Sequence, residues 1–315
     1  MNPSNHVAHA LVTLTFTLGV ASACPRARIL PPIRKRGDLG PMLNALDLHG
    51  PGVELGVQRG WFTSELLAGW RNTSLYVQVD AWQAMQNYVD VANKDGATQM
   101  NFKEIASSTL RKMVRRGFAR RGIQCHNFTT VCARHYPPEW FDFIYVDARH
   151  DRTGVLEDLA NWWPKLRKGG VIAGHDYTTQ AEPAGSMDFR SDPNSTGQDW
   201  TINSDGTIDT SGRVVKGAVD DFFAGLAPAG HRHQSELRHC PLQVVVTYRE
   251  MGWNTWMVAK PWGSSHAGTG GASSQASGTE RDGTRGRAGG SGGGGEPHGS
   301  HARGGRQLEG NVYQT

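Results

Sequence analysis

The sequence predicts an α/β protein built on a doubly wound, mostly parallel sheet of seven strands with an antiparallel edge strand. Between residues 50 and 262, short runs rich in β-branched and aromatic residues alternate with amphipathic segments of helical length. Alternation of this kind is typical of a parallel sheet that carries helices on both faces. The last two β-type runs follow each other without a helix between them, which favours a hairpin at one edge.

The seven predicted strands share a high content of Val, Ile and aromatic residues. They are GVELGV (52–57), LYVQVD (75–80), GIQCHNF (122–128), FDFIYVD (141–147), VIAGHDY (171–177), LQVVVTYRE (242–250) and WNTWMVAK (253–260). Four amphipathic segments are predicted helices: WFTSELLAGW (61–70), RKMVRRGFARR (111–121), RTGVLEDLANWW (152–163) and VVKGAVDDFFAGL (214–226). Pro164 is expected to end the third helix, because proline cannot continue one.

One folded domain is predicted, over residues 50–262, preceded by a linker or helix at residues 24–49. Residues 178–213 form a polar insertion after the fifth strand, which we interpret as a lid over a ligand cleft; Asp205-Gly206 indicates a small hairpin within it. Residues 263–315 are rich in Gly and Ser and nearly free of large apolar side chains. Such a segment cannot offset its ordering entropy and is predicted to be disordered.

Residues 1–23 are predicted to be a signal or targeting segment. An apolar stretch of signal-peptide length ends in Ala21-Ser22-Ala23, a small-x-small cleavage pattern, and is too short for a comfortable membrane span. The expected location is therefore the secretory pathway. An organellar transit peptide is the alternative, because the first 37 residues contain no acid and several basic residues.

Charge and cysteine content limit the partners. The net charge of +4 is spread along the chain and does not require a polyanionic partner, so no strong nucleic-acid signal is present. The four cysteines form no C-x-x-C pair and no zinc-site spacing. In an oxidising compartment, a structural disulfide can form among Cys125, Cys132 and Cys240.

The loop E-L-G-V-Q-R-G (54–60) joins the first strand to the first helix. Gly56 and Gly60 allow a tight turn and a close approach of the backbone to a ligand. A dinucleotide fingerprint reads G-x-G-x-x-G and cradles a pyrophosphate, whereas this loop places Glu54 where a pyrophosphate would be repelled. The loop therefore favours a ligand with a cationic part, such as the ammonium group of S-adenosylmethionine.

Acidic residues and histidines end three of the other strands. Asp80 ends the second strand, where an acid can accept both ribose hydroxyls of an adenosine; capping of a following helix is the structural alternative. Asp147 ends the fourth strand, and His175 and Asp176 end the fifth, so these side chains face one crevice. They can hold a hard cation such as Mg²⁺, which lowers the pKa of a bound hydroxyl. His150 is then the candidate base.

Several stretches together resemble a known family: VELGVQRGWFTSELL, YVQVDAW, FDFIYVDARHDRTGVLEDLANWWPKLRKGGVIAGHDY and VKGAVDDFF. They resemble the class I S-adenosylmethionine-dependent methyltransferases of the family-24 methyltransferase-domain type, over about residues 50–260. The resemblance implies that S-adenosylmethionine is the cofactor. It also implies that Glu54, Gly56, Gly60 and Asp80 line the cofactor site. Val57, Trp82 and Asp147 are predicted to bind the cofactor as well.

The resemblance also implies a metal site and a base. In the related cation-dependent O-methyltransferases, acids ending the fourth and fifth strands bind Mg²⁺, and these positions fall on Asp147, His175 and Asp176. His175 replaces the usual acid or amide at the second of them. Catechol-type enzymes carry a lysine base three residues after the first metal acid, whereas this chain has His150, as some sugar O-methyltransferases do.

The predicted function is methyl transfer from S-adenosylmethionine to a hydroxyl of a small molecule, or of a sugar or glycan, with Mg²⁺ assistance as an option. One alternative is a nucleic-acid methyltransferase, which the basic run 111–121 and Arg303-Gly304-Gly305 would suit; the D-A-R-H stretch after the fourth strand disfavours the adenine-N6 type. A second is a non-catalytic binding protein that kept the fold. The missing third glycine disfavours NAD-dependent redox chemistry.

Overall fold

One eight-stranded sheet organises the protein. The computed structural model describes Cys24, residues 26–182, 198–225, 242–250 and 253–262, and the backbone of residues 312–314. The strands are β1 (Gly52–Leu55), β2 (Tyr76–Asp80), β3 (Gly122–His126), β4 (Phe141–Val146), β5 (Leu166–Gly174), β6 (Val245–Val246), β7 (Trp256–Ala259) and β8 (Val312–Gln314). The first seven strands overlap the seven predicted runs, and the short strand β8 was not predicted.

The strand order is β6-β7-β5-β4-β1-β2-β3-β8. Strands β1 to β5 are parallel to one another. Strand β7 runs antiparallel to β5, β6 runs antiparallel to β7, and β8 runs antiparallel to β3. The predicted doubly wound sheet with an antiparallel edge is therefore confirmed. Because the chain continues from β1 to β2 on one side and returns as β4 on the other, a crevice opens between the carboxyl ends of β1 and β4.

Helices cover both faces of the sheet. They are α1 (Leu39–Ala45), α2 (Trp61–Gly69), α3 (Gly96–Arg115), α4 (Thr129–Cys132), α5 (Arg152–Trp162) and α6 (Val214–Phe223), with 3-10 turns at Arg36–Asp38, Ala133–His135 and Trp163–Lys165. Asp151 caps α5 by accepting the backbone N–H of Gly154 at 3.0 Å. The helix gives way to the turn that contains Pro164, as expected.

The predicted helix over 111–121 was wrong in its bounds. Helix α3 begins at Gly96 and ends at Arg115. Gly117 then adopts a φ of +75°, a left-handed conformation that ends helices. The first half of α3 was not predicted because many of its residues are polar, whereas the basic run at its end has a helical pattern of basic and apolar residues. Strand β5 also starts at Leu166, five residues before its predicted start at Val171, so that Gly169 and Gly170 lie within it.

Strand β4 shows how the sheet is held in place. All six of its residues are buried. Ile144 and Val146 belong to the apolar cluster on one face, which includes Leu159 of α5. Phe143 and Tyr145 belong to the cluster on the other face. A strand buried on both faces reads as a continuous apolar run, and this is why it was recognisable in the sequence.

Part of the insertion after β5 is described. Residues 198–213 contain the expected hairpin, in which Ile202 and Ile208 form an antiparallel bridge around Asp205-Gly206. Residues 312–314 of the tail that was predicted to be disordered form strand β8 instead. Residues 1–23, residues 183–197 and the rest of 263–315 lie outside the described residues, so the targeting segment and the disorder of the remaining tail stay predictions. Within the described ranges, no helix is long and apolar enough to cross a membrane.

A disulfide joins Cys125 of β3 to Cys132 of α4, seven residues apart. We expect replacement of both by Ala to lower the free energy of unfolding by about 2.5 kcal/mol, because a crosslink over such a loop removes that much entropy from the unfolded chain. Chemical denaturation of the double variant and the wild type measures the difference. An equal stability of the two proteins would show that the crosslink does not stabilise the fold.

Candidate active site

The loops after β1 and β4 touch at the crevice. Gly56 and Gly60 have φ angles of +79° and +75°, in the left-handed region that glycine adopts without strain. A Cβ atom at Gly56 would lie only 1.9 Å from the carbonyl oxygen of Asp147. Glycine is therefore required at position 56 for this close approach, as well as for the turn.

Asp80 fixes the shape of the glycine loop. Its Oδ2 accepts the backbone N–H groups of Val57 and Gln58 at 2.8 and 2.9 Å, and its Oδ1 accepts that of Trp82 at 2.7 Å. Burial raises the pKa of the Asp80 carboxyl, although these hydrogen bonds act in the opposite direction. It does not cap α3, whose N-cap is Asp95.

Glu54 is buried beneath the same loop. Its Oε2 accepts hydrogen bonds from the hydroxyl of Tyr76, at 3.0 Å, and from the hydroxyl of Thr63. Burial raises the pKa of Glu54 to about 8 in spite of these two bonds. In the absence of a bound cation, the carboxyl is therefore largely protonated at pH 7.

A row of buried polar side chains leads to Glu54 across the sheet. The Thr63 hydroxyl accepts from the amide of Gln78 at 2.7 Å. Gln78 in turn accepts from the amide of Gln124 at 2.8 Å. Glu54, Gln78 and Gln124 are paired residues of the parallel strands β1, β2 and β3. The row holds Thr63 in the orientation that donates to Glu54.

His150 is surrounded by carboxylates. Its Nδ1 lies 3.1 Å from Asp90 Oδ2 and 3.1 Å from the Tyr88 hydroxyl. Its Nε2 lies 3.3 Å from Asp147 Oδ1 and 3.1 Å from Asp176 Oδ2. Burial opposes the charged imidazole, but the hydrogen bonds and charges of the acids outweigh it and hold the pKa of His150 well above 6.5. The surrounding acids therefore favour the imidazolium form of the ring.

The three predicted metal ligands lie together. Asp147, His175 and Asp176 each offer one ligand atom, and these atoms lie within 4.8 Å of one another. His175 Nδ1 is 2.8 Å from Asp176 Oδ1. Burial opposes both charged forms, yet the pair raises the pKa of His175 and lowers that of Asp176. Two carboxylates and an imidazole fit a divalent cation, including Mn²⁺ or Zn²⁺ as well as Mg²⁺.

Two cavities meet at the glycine loop. The smaller, of about 140 Å³, lies beside Asp80 and the start of α4. The larger, of about 580 Å³, is lined by Glu54, His150 and the metal-ligand group. The residues that line both are Gly56, Gln58, Ala92, Asp147 and Ala148. A ligand long enough to occupy both cavities would pass directly over the loop after β1.

Residues 53–177 match the family model of a methyltransferase domain, family 24. This match to a methyltransferase domain spans 125 of the 315 residues of the chain. The matched segment begins in β1 and ends just after Asp176, so it contains the glycine loop, Asp80, His150 and all three candidate metal ligands.

Three solved structures are similar to the chain at low identity. An O-methyltransferase from Bacillus cereus in complex with SAH is 16% identical, covers 73% of this chain and 84% of its own, and has a TM-score of 0.41. A protein from Corynebacterium glutamicum is 12% identical, covers 77% of this chain and 86% of its own, and has a TM-score of 0.45. The O-methyltransferase TomG from Streptomyces achromogenes, in complex with SAM, is 12% identical, covers 72% of this chain and 79% of its own, and has a TM-score of 0.41. No curated protein is significantly similar in sequence.

Most of the predicted site residues line the two cavities. Those that do are Glu54, Gly56, Val57, Asp80, Asp147, His150, His175 and Asp176. Gly60 and Trp82 are not among the described residues that line either cavity. Gly60 is the N-cap of α2, and the buried Trp82 donates its indole N–H to the carbonyl oxygen of Gln58 at 2.9 Å. Both support the loop, and their direct contact with the cofactor stays a prediction.

Four residues that line the two cavities were not predicted as site residues from the sequence. Arg36 lines the larger cavity from the segment before the domain. Trp200, in the insertion, places its ring 4.5 Å from that of His150 and donates its indole N–H to Asp90 Oδ2 at 2.6 Å. Asp158 lines the smaller cavity, and burial raises its pKa to about 7 although the Thr129 hydroxyl bonds to it.

The sequence held only weak signals for these four residues. Arg36 lies in the stretch predicted to be a linker or helix before the domain, and Asp90 and Trp200 stand in stretches without periodicity. For Asp158, an acid on the apolar face of an amphipathic helix was the available signal.

Proposed function

We propose that the protein transfers a methyl group from S-adenosylmethionine to a hydroxyl group of a small molecule, or of a sugar or glycan. One observation carries the proposal: a histidine and a cluster of two acids and a second histidine line a large cavity directly beside the glycine loop of a methyltransferase domain. A base and a cation site at that place suit activation of a hydroxyl.

The cofactor would extend through both cavities. Its adenosine would occupy the smaller cavity, where Asp80 keeps carboxylate lone pairs for the ribose hydroxyls beyond its three backbone bonds. Its methionyl end would cross Gly56 into the larger cavity, with the ammonium group directed at Glu54. The methyl group would then lie in the larger cavity, which also contains His150.

The reaction is a direct displacement. S-adenosylmethionine would supply the methyl group: the acceptor oxygen would attack the methyl carbon, the electron pair of the broken carbon–sulfur bond would stay on sulfur, and His150 would take the hydroxyl proton. Alignment of the two reactants supplies much of the acceleration. A divalent cation held by Asp147, His175 and Asp176 supplies Lewis-acid stabilisation of the acceptor oxygen when bound. The sulfonium charge of the cofactor disfavours the imidazolium form and so helps His150 to act as a base.

The walls of the larger cavity support a ring-shaped acceptor. Trp61, Trp200 and Trp253 line it, and Trp61 is 66% exposed. Flat aromatic faces pack against sugar and phenol rings and leave their hydroxyls free.

We also propose that the protein works in the secretory pathway, since the Cys125–Cys132 disulfide suits an oxidising compartment. This location supports a glycan as one acceptor class.

The first test is calorimetric titration of the full chain with S-adenosylmethionine and with NAD. We expect only S-adenosylmethionine to bind. At pH 7, its ammonium group should lower the pKa of Glu54 from about 8 and release up to about 0.9 proton per cofactor. Titrations in two buffers of different ionisation enthalpy count the protons, and Glu54→Gln should abolish the release.

The second test is turnover. Transfer of a labelled methyl group is measured over a panel of sugars and phenols, with Mg²⁺, with Mn²⁺ and with EDTA. Transfer to at least one hydroxyl acceptor supports the proposal. Cofactor binding without transfer to any of them would favour a non-catalytic binding protein, and no binding by a folded sample would reject the cofactor assignment.

A further inference from the structure

We propose that Arg36 binds the α-carboxylate of the methionyl end of the cofactor, opposite Glu54, so that the segment before β1 completes the cofactor site. The inference rests on the proposed binding of S-adenosylmethionine in the two cavities. It assigns a role to a residue outside the matched methyltransferase domain, which begins at residue 53.

The position of Arg36 is fixed by the sheet edge. Its backbone N–H donates to Glu250 Oε1 at 2.7 Å. The other oxygen of Glu250 accepts the backbone N–H of Thr255 at 2.9 Å and the hydroxyl of Thr247. The turn that carries Arg36 is thereby tied to the β6–β7 hairpin. The backbone of Arg36 is therefore anchored to the edge of the sheet, although Arg36 precedes β1 in the chain.

The guanidinium group of Arg36 reaches the methionyl end of the larger cavity. It lies over the ring of Phe62, 5.8 Å from the ring centroid, and Phe62 belongs to the first turn of α2, immediately after the glycine loop. The charges of Tyr145 and Asp147 act on this guanidinium, and the charge of Asp147 also acts on Glu54. A ligand that passes over Gly56 into the larger cavity would enter a space that Glu54 and Arg36 both line.

The charges of the cavity suit a zwitterion. A methionyl group carries an ammonium and a carboxylate on one carbon, and the cavity provides an acid, Glu54, and a guanidinium for them. Arg36 has an acidic neighbour, Glu65, but Nε and Oε2 are 3.6 Å apart and the Glu65 side chain is 41% exposed. Such a pair is weak. A guanidinium has five N–H donors, so Arg36 can keep this contact and still bind a carboxylate through two bonds.

A second arginine provides a matched control. Arg59 also lines the larger cavity, and its guanidinium stacks on Phe102, 4.0 Å from the ring centroid. Phe102 belongs to the cluster with Trp82 and Ala106, on the α3 side of the loop. Arg59→Ala removes the same charge from the same cavity. It therefore separates a direct contact from a general effect of positive charge.

The test compares two ligands that differ by one carboxylate. S-adenosylhomocysteine has it, and decarboxylated S-adenosylhomocysteine keeps the ammonium but lacks it. By calorimetry, Arg36→Ala should weaken S-adenosylhomocysteine binding by about 10- to 100-fold and leave the affinity for the decarboxylated ligand unchanged. Arg36→Lys should recover part of the loss, and Arg59→Ala should preserve the discrimination between the two ligands.

Three results would overturn the proposal: no loss in Arg36→Ala, an equal loss for both ligands, or loss of discrimination in Arg59→Ala instead. An unchanged cofactor affinity with a raised KM for an anionic acceptor would assign Arg36 to the acceptor and reject the cofactor role. If neither ligand binds the folded wild type, the proposed function fails as well, whereas binding that is insensitive to Arg36 rejects this proposal alone. Thermal unfolding of each variant checks that it folds.

Discussion

Replacing His150 by Ala should lower kcat by about 10²- to 10⁴-fold, the usual contribution of a general base, with S-adenosylmethionine affinity nearly unchanged. The imidazole is the one basic ring that contacts both Asp147 and Asp176 in the described cavity. The cofactor contacts proposed above do not involve it. Methyl-transfer rates at saturating cofactor, together with calorimetric affinities, separate the two effects.

The pH dependence of kcat gives an independent check on His150. Its acidic neighbours hold its pKa well above 6.5, so the fraction of neutral, proton-accepting imidazole rises with pH. The wild-type kcat should therefore increase through and above neutral pH, and this increase should be absent in His150→Gln. The control is His49→Ala, whose partly exposed ring lies beside Asp47. A His150→Ala variant that keeps wild-type turnover would remove this histidine from the mechanism.

Gly56→Ala should abolish cofactor binding and lower the free energy of unfolding by about 3 kcal/mol or more. Two costs add at this position. The left-handed backbone is unfavourable for alanine by about 1–2 kcal/mol, and the new Cβ would collide with the backbone of Asp147 and Ala148. Relief of the collision requires the loops after β1 and β4 to separate, which opens the wall shared by both cavities.

Gly117→Ala is the matched control for Gly56→Ala. Gly117 has a φ of +75°, close to that of Gly56, but a Cβ there meets no described atom within 4 Å. This variant should lose only the backbone cost, about 1–2 kcal/mol, and bind the cofactor normally. Equal losses of stability in the two variants would show that the close contact between the loops does not contribute to the free energy of unfolding.

The sequence was sufficient to predict the sheet and the residues at the ends of its strands. Strand β4 is buried on both faces, so its apolar run was visible, and Asp147 follows at once. Because parallel strands present their carboxyl ends at one edge, Asp147, His175 and Asp176 could be placed together without a structure. The same logic located Glu54 and Gly56 beside them.

The sequence could not reveal contacts made by irregular segments. Arg36 and Trp200 reach the site from a turn before the domain and from an insertion, and neither stretch has a period that fixes its position. The environment of His150 depends on Asp90, from the loop between β2 and α3. The bonds that Asp80 accepts come from backbone N–H groups, which every residue but proline has and which therefore leave no trace in the sequence.

Through the buried row of polar side chains, residues deep in the sheet can affect the site. Gln124 lies in β3, two strands away from Glu54, and it is not among the described residues that line either cavity. Yet it is hydrogen-bonded through Gln78 and Thr63 to the carboxyl that is proposed to meet the ammonium group. Gln124 therefore belongs to the buried core and also affects the site at its edge. An apolar residue at position 124 would break the row of hydrogen bonds and change the pKa of Glu54.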